Sequence, residues 1–241
     1  MAAVAAGAVA AEPDALSRRE ALEAHAADTA ACTRCRLAEG RTQVVYGVGD
    51  PDADLMFVGE APGFHEDKQG YPFVGSAGKL LDRLLEGISL TRRDVYIANV
   101  LKCRPPGNRD PQPDEIEACE SHLFRQLELI QPKLVATLGN FATKLLSGKP
   151  TGITRVHGQP QEATVGGRGV TLYPIYHPAA ALYTPAMLKT LEEDFARIPA
   201  LLAGGAGFPA EAPQAQVIQF PVTPAPLAVP AAPPDEQLGL F

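Results

Sequence analysis

The sequence predicts an α/β fold: a three-layer α/β/α sandwich around a central, mostly parallel four-stranded sheet. Four short apolar runs, rich in β-forming residues, have the length and composition of buried strands. They alternate with longer segments in which apolar residues recur at helical spacing. Such alternation is typical of parallel sheets that are covered by helices on both faces.

The four predicted strands occupy residues 55–58, 95–100, 134–138 and 171–176. Each one leads into an unusual residue or motif. These are the glycine-rich turn that starts at Gly59, then Asn99, then Gly139-Asn140, and finally His177-Pro178. In open α/β sheets, ligands bind at the carboxyl ends of the strands. We therefore expect these four segments to meet at one cleft.

Three helices are predicted between and after the strands. Ser76 is expected to cap the first, whose apolar residues run from Leu80 to Ile88. The second begins at residues 113–115, where a proline and two acidic residues form a favourable first turn. It ends near Ile130, and a last helix carries apolar residues at helical spacing over 188–202.

Composition divides the 241-residue chain into three parts. Residues 1–14 predict a disordered arm, 15–203 the folded domain, and 204–241 a disordered tail rich in proline and alanine. No apolar run is long enough for a transmembrane helix. The N-terminus carries Glu12 and Asp14 but no basic segment, so we expect no secretory signal and a cytoplasmic monomer.

The net charge of −7 argues against a general nucleic-acid binder. The basic residues are unevenly placed, however. Five fall within 18 positions: Arg92, Arg93, Lys102, Arg104 and Arg109. This run indicates either an ordinary solvated face or a local contact surface for an anionic partner.

All four cysteines fall into one pattern. Cys32 and Cys35 form a CxxC pair, Cys103 follows after a long gap, and Cys119 lies 16 positions further on. Four thiolates with no surplus favour one closed metal site, because each thiolate needs a cation to offset its charge. A reducing cytoplasm also favours metal over disulfides.

Four ordered motifs carry a resemblance to a known family. They are GEAPGFHED at 59–67, PFVGSAGKLLDRLL at 72–85, NVLKCRPPGNRDPQPDEIEAC at 99–119 and HPAAAL at 177–182. With Cys32 and Cys35 they cover most of residues 30–185. The chain resembles a family 4 uracil-DNA glycosylase, the iron–sulfur type. The resemblance implies that fold, and a base-excision-repair hydrolase that releases uracil from DNA and leaves an abasic site.

The glycosidic bond of deoxyuridine lies inside the base stack, so the nucleotide must be flipped into a pocket. The resemblance assigns Phe73 to stacking on the base and Asn99 to reading its edge. The Asn99 amide would accept from N3–H and donate to O4, a pattern that cytosine does not match. His177 would donate from a neutral imidazole to O2 and stabilise the departing anion.

The turn between Gly59 and Gly63 lets backbone approach the ligand closely. In the best-known uracil glycosylases an aspartate positions the water; here Ala61 takes its place, one position after Glu60. Glu60 either orients the water or shapes the turn. By the same resemblance, Glu66 is expected to exclude thymine near base C5, the alternative being a solvated charge.

The resemblance also predicts the DNA contacts. The loop with Arg104 and Arg109 would face phosphates. The segment with Ala180 and Leu182 would enter the minor groove, with Leu182 as the wedge that fills the gap. Relatives usually carry a basic residue after this segment, whereas this chain has Tyr183, so one phosphate contact lacks its donor.

The resemblance assigns the four cysteines to a [4Fe–4S] cluster. Tetrahedral zinc is the alternative, because four cysteines suit both. Since hydrolysis requires no redox step, we expect the metal to be structural. It would join the N-terminal segment to the loop and helix after the second predicted strand.

The chain ends in QLGLF, which resembles the pentapeptide that bacterial repair proteins use to bind the sliding clamp. Leu240 and Phe241 would fill an apolar pocket, while Gln237 fixes the register and Leu238 completes the motif. The alternative is an ordinary apolar terminus. The tail would tether the enzyme to the clamp while it reaches DNA.

Two other functions stay open. One is a related enzyme with a wider range of deaminated bases or covalent capture of the abasic product, although the distinctive basic insert of covalent relatives is missing. The other is a non-catalytic iron–sulfur adaptor that binds DNA. Phe73, Asn99 and His177 argue against the adaptor, because it needs no base pocket.

Overall fold

A computed structural model describes residues 15–165 and 167–204. The predicted arm at 1–14 lies outside the described residues. So does the predicted tail beyond Gly204, with Gln237, Leu238, Leu240 and Phe241. None of the helices in the described ranges has the length and apolar character needed to cross a membrane.

The described residues contain the following elements. The strands are β1 (Val48–Gly49), β2 (Leu55–Gly59), β3 (Tyr96–Asn99), β4 (Leu134–Leu138), β5 (Gln161–Val165) and β6 (Arg168–Ile175). The helices are α1 (Ala15–Ala30), α2 (Leu37–Gly40), α3 (Phe64–Gln69), α4 (Ser76–Gly87), α5 (Pro113–Ile130), α6 (Asn140–Ser147), α7 (Ile153–Val156), α8 (Pro178–Ala181), α9 (Pro185–Ala196) and α10 (Ile198–Ala203). A 3-10 turn spans Pro106–Asn108.

The six strands of the described chain form one sheet in the order β1-β3-β2-β4-β6-β5. The four central strands are the predicted ones, and they pair in parallel. The edge strands β1 and β5 pair antiparallel to their neighbours and were not predicted. β1 has only two residues, and β5 alternates between exposed and less exposed positions, so neither forms an apolar run. The predicted fold class is confirmed, with six strands rather than four.

Strand periodicity divides the core into two layers. Leu55 and Phe57 of β2 face a cluster that includes residues of α4, α8, α9 and α10. Met56 and Val58 face the opposite cluster, with residues of α1, α2, α5 and α6. Each such buried side chain contributes about 1.5–3 kcal/mol relative to exposure. Helices cover both faces of the sheet, as a three-layer sandwich requires.

Two helix predictions need correction. Ser76 is the first residue of α4 rather than its cap; Gly75 precedes it and no side chain caps the helix. The predicted last helix is two helices, α9 and α10, which meet at Arg197. Pro199 accounts for the break, because proline has no N–H to donate to the carbonyl four residues earlier.

Candidate active site and cysteine cavity

A cleft of about 340 Å³ lies at the carboxyl ends of the central strands. This volume falls in the range of small-molecule sites. Eight of the predicted site residues line it: Glu60, Ala61, Gly63, Glu66, Phe73, Asn99, Arg109 and His177. We call it the base cleft. The expectation that the strand ends would meet at one cleft is met for three of the four segments, β2, β3 and β6.

Asn99 ends β3 and is only 2% exposed. Its side-chain oxygen Oδ1 is buried and has no hydrogen-bond partner among the described residues. Such an unpaired acceptor costs about 1–3 kcal/mol of stability. Because the residue lines the base cleft, this oxygen can be satisfied by an N–H group of a ligand.

Gly59 keeps Asn99 and Phe73 side by side. It pairs with Asn99 across the parallel strands β2 and β3. A Cβ atom on residue 59 would lie 2.3 Å from Oδ1 of Asn99 and 2.8 Å from Cζ of Phe73. Only glycine leaves room for both side chains. The glycine at position 59 is therefore required by the packing of Asn99 and Phe73 against the backbone.

Phe73 has a left-handed backbone with φ of 55° and a ring that is 5% exposed. That conformation costs a bulky residue of order 1–3 kcal/mol and persists only when the surroundings impose it. Arg92 donates to the Pro72 carbonyl at 3.0 Å and to the Phe73 carbonyl. Gly78 packs against that carbonyl, since a Cβ there would lie 1.7 Å from it.

Glu66 supports the same loop from the other side. Its Oε1 accepts the backbone N–H groups of Val74 at 3.0 Å and Gly75 at 3.1 Å. The sequence placed Glu66 near base C5, and the residue does line the base cleft. Its role against thymine stays a prediction. The observed contacts add a task that the sequence did not reveal, namely holding the loop that carries Phe73.

His177 follows β6, and its Nδ1 accepts the backbone N–H of Ala179 at 3.1 Å. Nδ1 is therefore unprotonated, so the neutral ring carries its proton on Nε2. Burial lowers the pKa of His177 to about 4, against a smaller raising effect of Glu66. The imidazole is neutral at pH 7. Its ring stacks on Phe73, with centroids 5.4 Å apart and planes inclined by 26°.

Glu60 is half-buried in the wall of the base cleft. Burial raises the pKa of its carboxyl group, and the nearby Asp110 adds to this effect. Its backbone carbonyl accepts the N–H of Leu101 at 3.0 Å, which fixes the turn. A carboxylate with a raised pKa is a stronger base than an exposed one.

The two predicted phosphate-binding arginines have different surroundings. Arg109 forms a bidentate ion pair with the buried Glu115, at 2.6 and 2.9 Å. Arg104 donates to Asn108 at 2.7 Å and lies over the ring of Phe64, 5.2 Å from its centroid. The basic run is therefore not one uniform face, and Lys102 within it is buried.

The predicted minor-groove segment coincides with α8 and the residues that follow it. Ala180 is exposed, whereas Leu182 is half-buried against the core. Tyr183, which replaces the usual basic residue, is 90% exposed. The wedge role of Leu182 stays a prediction, and Tyr183 is far more exposed than Leu182.

All four cysteines line a second cavity, which we call the cysteine cavity; Cys103 and Cys119 are buried, and Cys32 and Cys35 are half-buried. None is in a disulfide. Three of the sulfur atoms have nitrogen neighbours: Arg41 at 3.5 Å from Cys103, the Lys102 N–H at 3.3 Å from Cys119, and His122 at 3.4 Å from Cys32. Donors such as the Arg41 guanidinium and the Lys102 N–H would stabilise thiolate ligands of a metal.

The spacing of these thiols bears on the metal. Within the described residues, no three His, Cys, Asp or Glu side chains are grouped so as to hold a single metal ion. Zinc, with Zn–S bonds of about 2.3 Å, would need four closely packed sulfurs. A cluster places its own iron and sulfide between the thiolates. All four thiols line one cavity, as either kind of metal site would require.

Lys102 links the two sites. It is 1% exposed, and its Nζ donates to the Asn99 carbonyl at 2.8 Å and to Oε1 of Gln126 at 2.5 Å. Its backbone N–H donates to the Cys119 sulfur at 3.3 Å. Burial lowers the pKa of Lys102 to about 8. No carboxylate pairs with this ammonium group in the described part of the chain.

The comparisons with known proteins agree with this geometry. The model of the uracil DNA glycosylase superfamily matches residues 46–199. A type-4 uracil-DNA glycosylase of Sulfurisphaera tokodaii is 47% identical over 184 residues, which cover 74% of this chain and 84% of that protein. The chain belongs to the type-4 uracil-DNA glycosylase family.

Two further type-4 uracil-DNA glycosylases support the assignment. That of Archaeoglobus fulgidus is 47% identical over 183 residues, covering 74% of this chain and 92% of the relative. That of Saccharolobus solfataricus is 48% identical over 172 residues, covering 69% and 80%. The resemblance carried by the sequence motifs is therefore confirmed.

Sequence reasoning missed two supporting residues of this type-4 uracil-DNA glycosylase. Arg92 and Lys102 were counted only as members of a basic run. Arg92 acts on a loop 19 positions away, and no local pattern marks that pairing. The sequence did carry a signal for Lys102. A lysine between the apolar residues Val100-Leu101 and Cys103 is unusual in a buried stretch and could have indicated a buried structural role.

Proposed function

We propose that this protein hydrolyses the N-glycosidic bond of deoxyuridine in DNA, releasing uracil and leaving an abasic site for base excision repair. The observation that carries the proposal is the unpaired Oδ1 of Asn99 beside Phe73 and a neutral His177 in one cleft. An extruded pyrimidine with an N3–H group would satisfy that oxygen.

Base selection follows from the Asn99 amide. Uracil presents a donor at N3 and an acceptor at O4, which match an amide that accepts and donates. Cytosine presents an acceptor and a donor at these positions, so both contacts would be repulsive. Phe73, held by Arg92 and Glu66, would supply the stacking face, and Glu66 would stand near base C5 and exclude thymine.

Bond cleavage uses charge stabilisation rather than a covalent intermediate. The C1′–N1 bond breaks with its electron pair on uracil, and the negative charge spreads to O2. The Nε2–H of His177 donates to O2 and stabilises that charge as it appears. A water oxygen bonds to C1′ and loses a proton to the Glu60 carboxylate. No lysine is among the described residues that line the base cleft, and Lys102 donates to the Asn99 carbonyl instead, so the proposed reaction uses no Schiff base.

DNA contacts are assigned to the rim of the base cleft. Arg104 and Arg109 would face phosphates, and Ala180 and Leu182 would enter the minor groove beside the flipped nucleotide. The flanking glycines and Ala61 keep the floor of the cleft open to the base. Arg109 would attract phosphate less strongly than Arg104, because the ion pair with Glu115 offsets its charge.

We assign a [4Fe–4S] cluster to Cys32, Cys35, Cys103 and Cys119. When bound, the cluster would supply a structural cross-link between the loop that joins α1 to α2, the loop after β3, and α5. Absorbance near 400 nm with about four irons per chain would support this assignment. Stoichiometric zinc without that absorbance would refute it.

The tail is assigned to partner binding. Gln237, Leu238, Leu240 and Phe241 would dock on a bacterial sliding clamp, and the enzyme would act as a cytoplasmic monomer. Deleting the last five residues should abolish clamp binding and leave activity on short oligonucleotides unchanged. Loss of both would contradict this modular arrangement.

The decisive test is cleavage of a uracil-containing oligonucleotide, revealed by alkali. Wild type should cut, Asn99→Ala and His177→Ala should cut far less, and a cytosine substrate should stay intact. Thermal unfolding of each variant controls for misfolding. Wild type that binds the oligonucleotide without releasing uracil would favour the adaptor, and equal rates on hypoxanthine would favour the broader enzyme.

A further inference from the structure

Phe64 is a large apolar side chain in an exposed position. It is 49% exposed and belongs to neither of the two core clusters. Phe64 begins α3, directly after Gly63, which lines the base cleft. Phe64 therefore adjoins a cleft residue in sequence and does not contribute to the hydrophobic core.

Two cations accompany this ring. The Arg104 guanidinium lies 5.2 Å and the Lys68 ammonium 5.9 Å from its centroid. Their hydrogen bonds go to neutral groups, from Arg104 to Asn108 at 2.7 Å and from Lys68 to Thr42 at 3.2 Å. Within the described residues neither cation has a carboxylate partner, so both charges remain available to an anion.

Arg104 and Arg109 differ in their ion pairing. Arg109 lies on the same loop as Arg104, but Glu115 neutralises its charge. The two cations beside the exposed Phe64 ring place positive charge at this point of a protein whose net charge is −7. Arg104 also precedes Pro105, another residue of the cleft wall. Phe64 and Lys68 thus adjoin the cleft from α3, and Arg104 adjoins it from the loop after β3.

We infer that Phe64, Lys68 and Arg104 form a stacking platform that binds the nucleobase next to the flipped deoxyuridine. This rests on the proposed function. The base would stack on the Phe64 ring or on the guanidinium plane that covers it, and the cations would bind the adjoining phosphate. Aromatic ring, guanidinium and phosphate-binding charge together are the elements by which proteins hold single-stranded nucleic acid.

The platform requires a base that is free to leave its neighbours. In duplex DNA the flanking base is paired and stacked, whereas in a single strand it can turn toward the protein. The contribution of Phe64 should therefore be larger for single-stranded than for double-stranded substrate. Stacking of one base corresponds to a loss of roughly 5- to 150-fold in affinity when the ring is removed.

The test uses fluorescence of 2-aminopurine, which is quenched by stacking. It is placed one nucleotide 5′ or 3′ of a 2′-fluorinated deoxyuridine, whose glycosidic bond resists hydrolysis, in a single-stranded oligonucleotide. Wild type should change the fluorescence at one of the two positions. Phe64→Ala should abolish that change and raise Kd at least fivefold. Phe64→Tyr, which keeps an aromatic ring, should retain the fluorescence change and the Kd of wild type.

Tyr71 provides the matched control, because it is 58% exposed and has no cation over its ring among the contacts of the described residues. Tyr71→Ala should leave the fluorescence change and Kd unaltered. An unchanged signal in Phe64→Ala, or an equal loss in Tyr71→Ala, would overturn the platform.

Cleavage of an unmodified uracil oligonucleotide separates this inference from the proposed function. Normal cleavage by wild type without a ring-dependent signal would remove the platform and leave the glycosylase standing. Ring-dependent quenching without uracil release would support the platform as a nucleic-acid site and refute the proposed reaction.

Discussion

The base cleft and the cysteine cavity lie at opposite ends of one short stretch, Asn99 to Cys103, yet they are built differently. The cleft is open, and its central acceptor has no partner in the described chain. In the cysteine cavity two of the four thiols are buried, and three of the sulfurs have nitrogen neighbours. The cleft thus offers an acceptor to an incoming ligand, whereas the cysteine cavity gathers the thiols that would hold the proposed cluster.

This difference has an energetic side. The cleft carries an unpaired amide oxygen and a left-handed phenylalanine, each of which costs about 1–3 kcal/mol. The cluster proposed for the cysteine cavity would cross-link three segments that are distant in sequence, and such a bond would favour the folded chain.

The largest expected effect comes from removing the donor to the uracil anion. His177→Ala should lower kcat by about 10²–10³-fold with little change in KM, because the contact forms as charge develops. Steady-state kinetics on a uracil oligonucleotide measure this split. An equal rise in KM with unchanged kcat would mean that His177 only binds the substrate.

Asn99→Ala tests the other half of the cleft. It should reduce kcat/KM strongly while stabilising the protein by about 1 kcal/mol, because a buried unsatisfied acceptor disappears. Urea unfolding gives the free energy. A loss of stability would show that Oδ1 already has a hydrogen-bond partner in the free enzyme. The base cleft would then not differ from the cysteine cavity in carrying an unpaired polar atom.

Lys102→Met tests the link between the sites. It unpairs the Asn99 carbonyl and Gln126, so the free energy of unfolding should fall by about 2–5 kcal/mol. The matched control is Lys133→Met, since Lys133 pairs with Asp54 at 2.7 Å but is exposed. That change should cost no more than about 1 kcal/mol. Similar losses in both variants would contradict a special role for the buried ammonium.

Arg92→Met should release the loop that carries Phe73. Charged hydrogen bonds of this kind contribute about 1.5–3 kcal/mol, so uracil binding should weaken by roughly tenfold or more. Inhibition by free uracil reports the affinity directly. The neighbouring Arg93, which is exposed, provides the control, and Arg93→Met should leave inhibition unchanged.

The smallest expected effect is in the pH profile. His177 acts when neutral, and its pKa is lowered to about 4, so its contribution is present at pH 7 and lost only as pH falls through about 4. Glu60 acts as a carboxylate with a raised pKa, so its loss comes first on acidification. Glu60→Gln should therefore move the acid limb of kcat to lower pH. An unmoved limb would exclude Glu60 as the base.

The sequence predicted the central sheet well because its four strands are buried runs; 134–138 matches β4 at both ends. It missed β5, whose polar, half-exposed residues pair only through the hairpin with β6. Asn99 and His177 could be placed at one cleft because parallel strand ends share an edge, whereas Phe73 was placed there by the family resemblance. The left-handed turn at Phe73 and its bond to Arg92 could not be predicted, since both depend on contacts between distant segments.

The stretch from Asn99 to Cys103 has a practical consequence for redesign. Adding or deleting a single residue there would rotate the base-reading amide and a cysteine at once, so the two cannot be altered one at a time. Efforts to change which damaged base is accepted should leave this segment at its present length. The turns at 60–66 and 177–182 offer room for such changes without disturbing the cysteines.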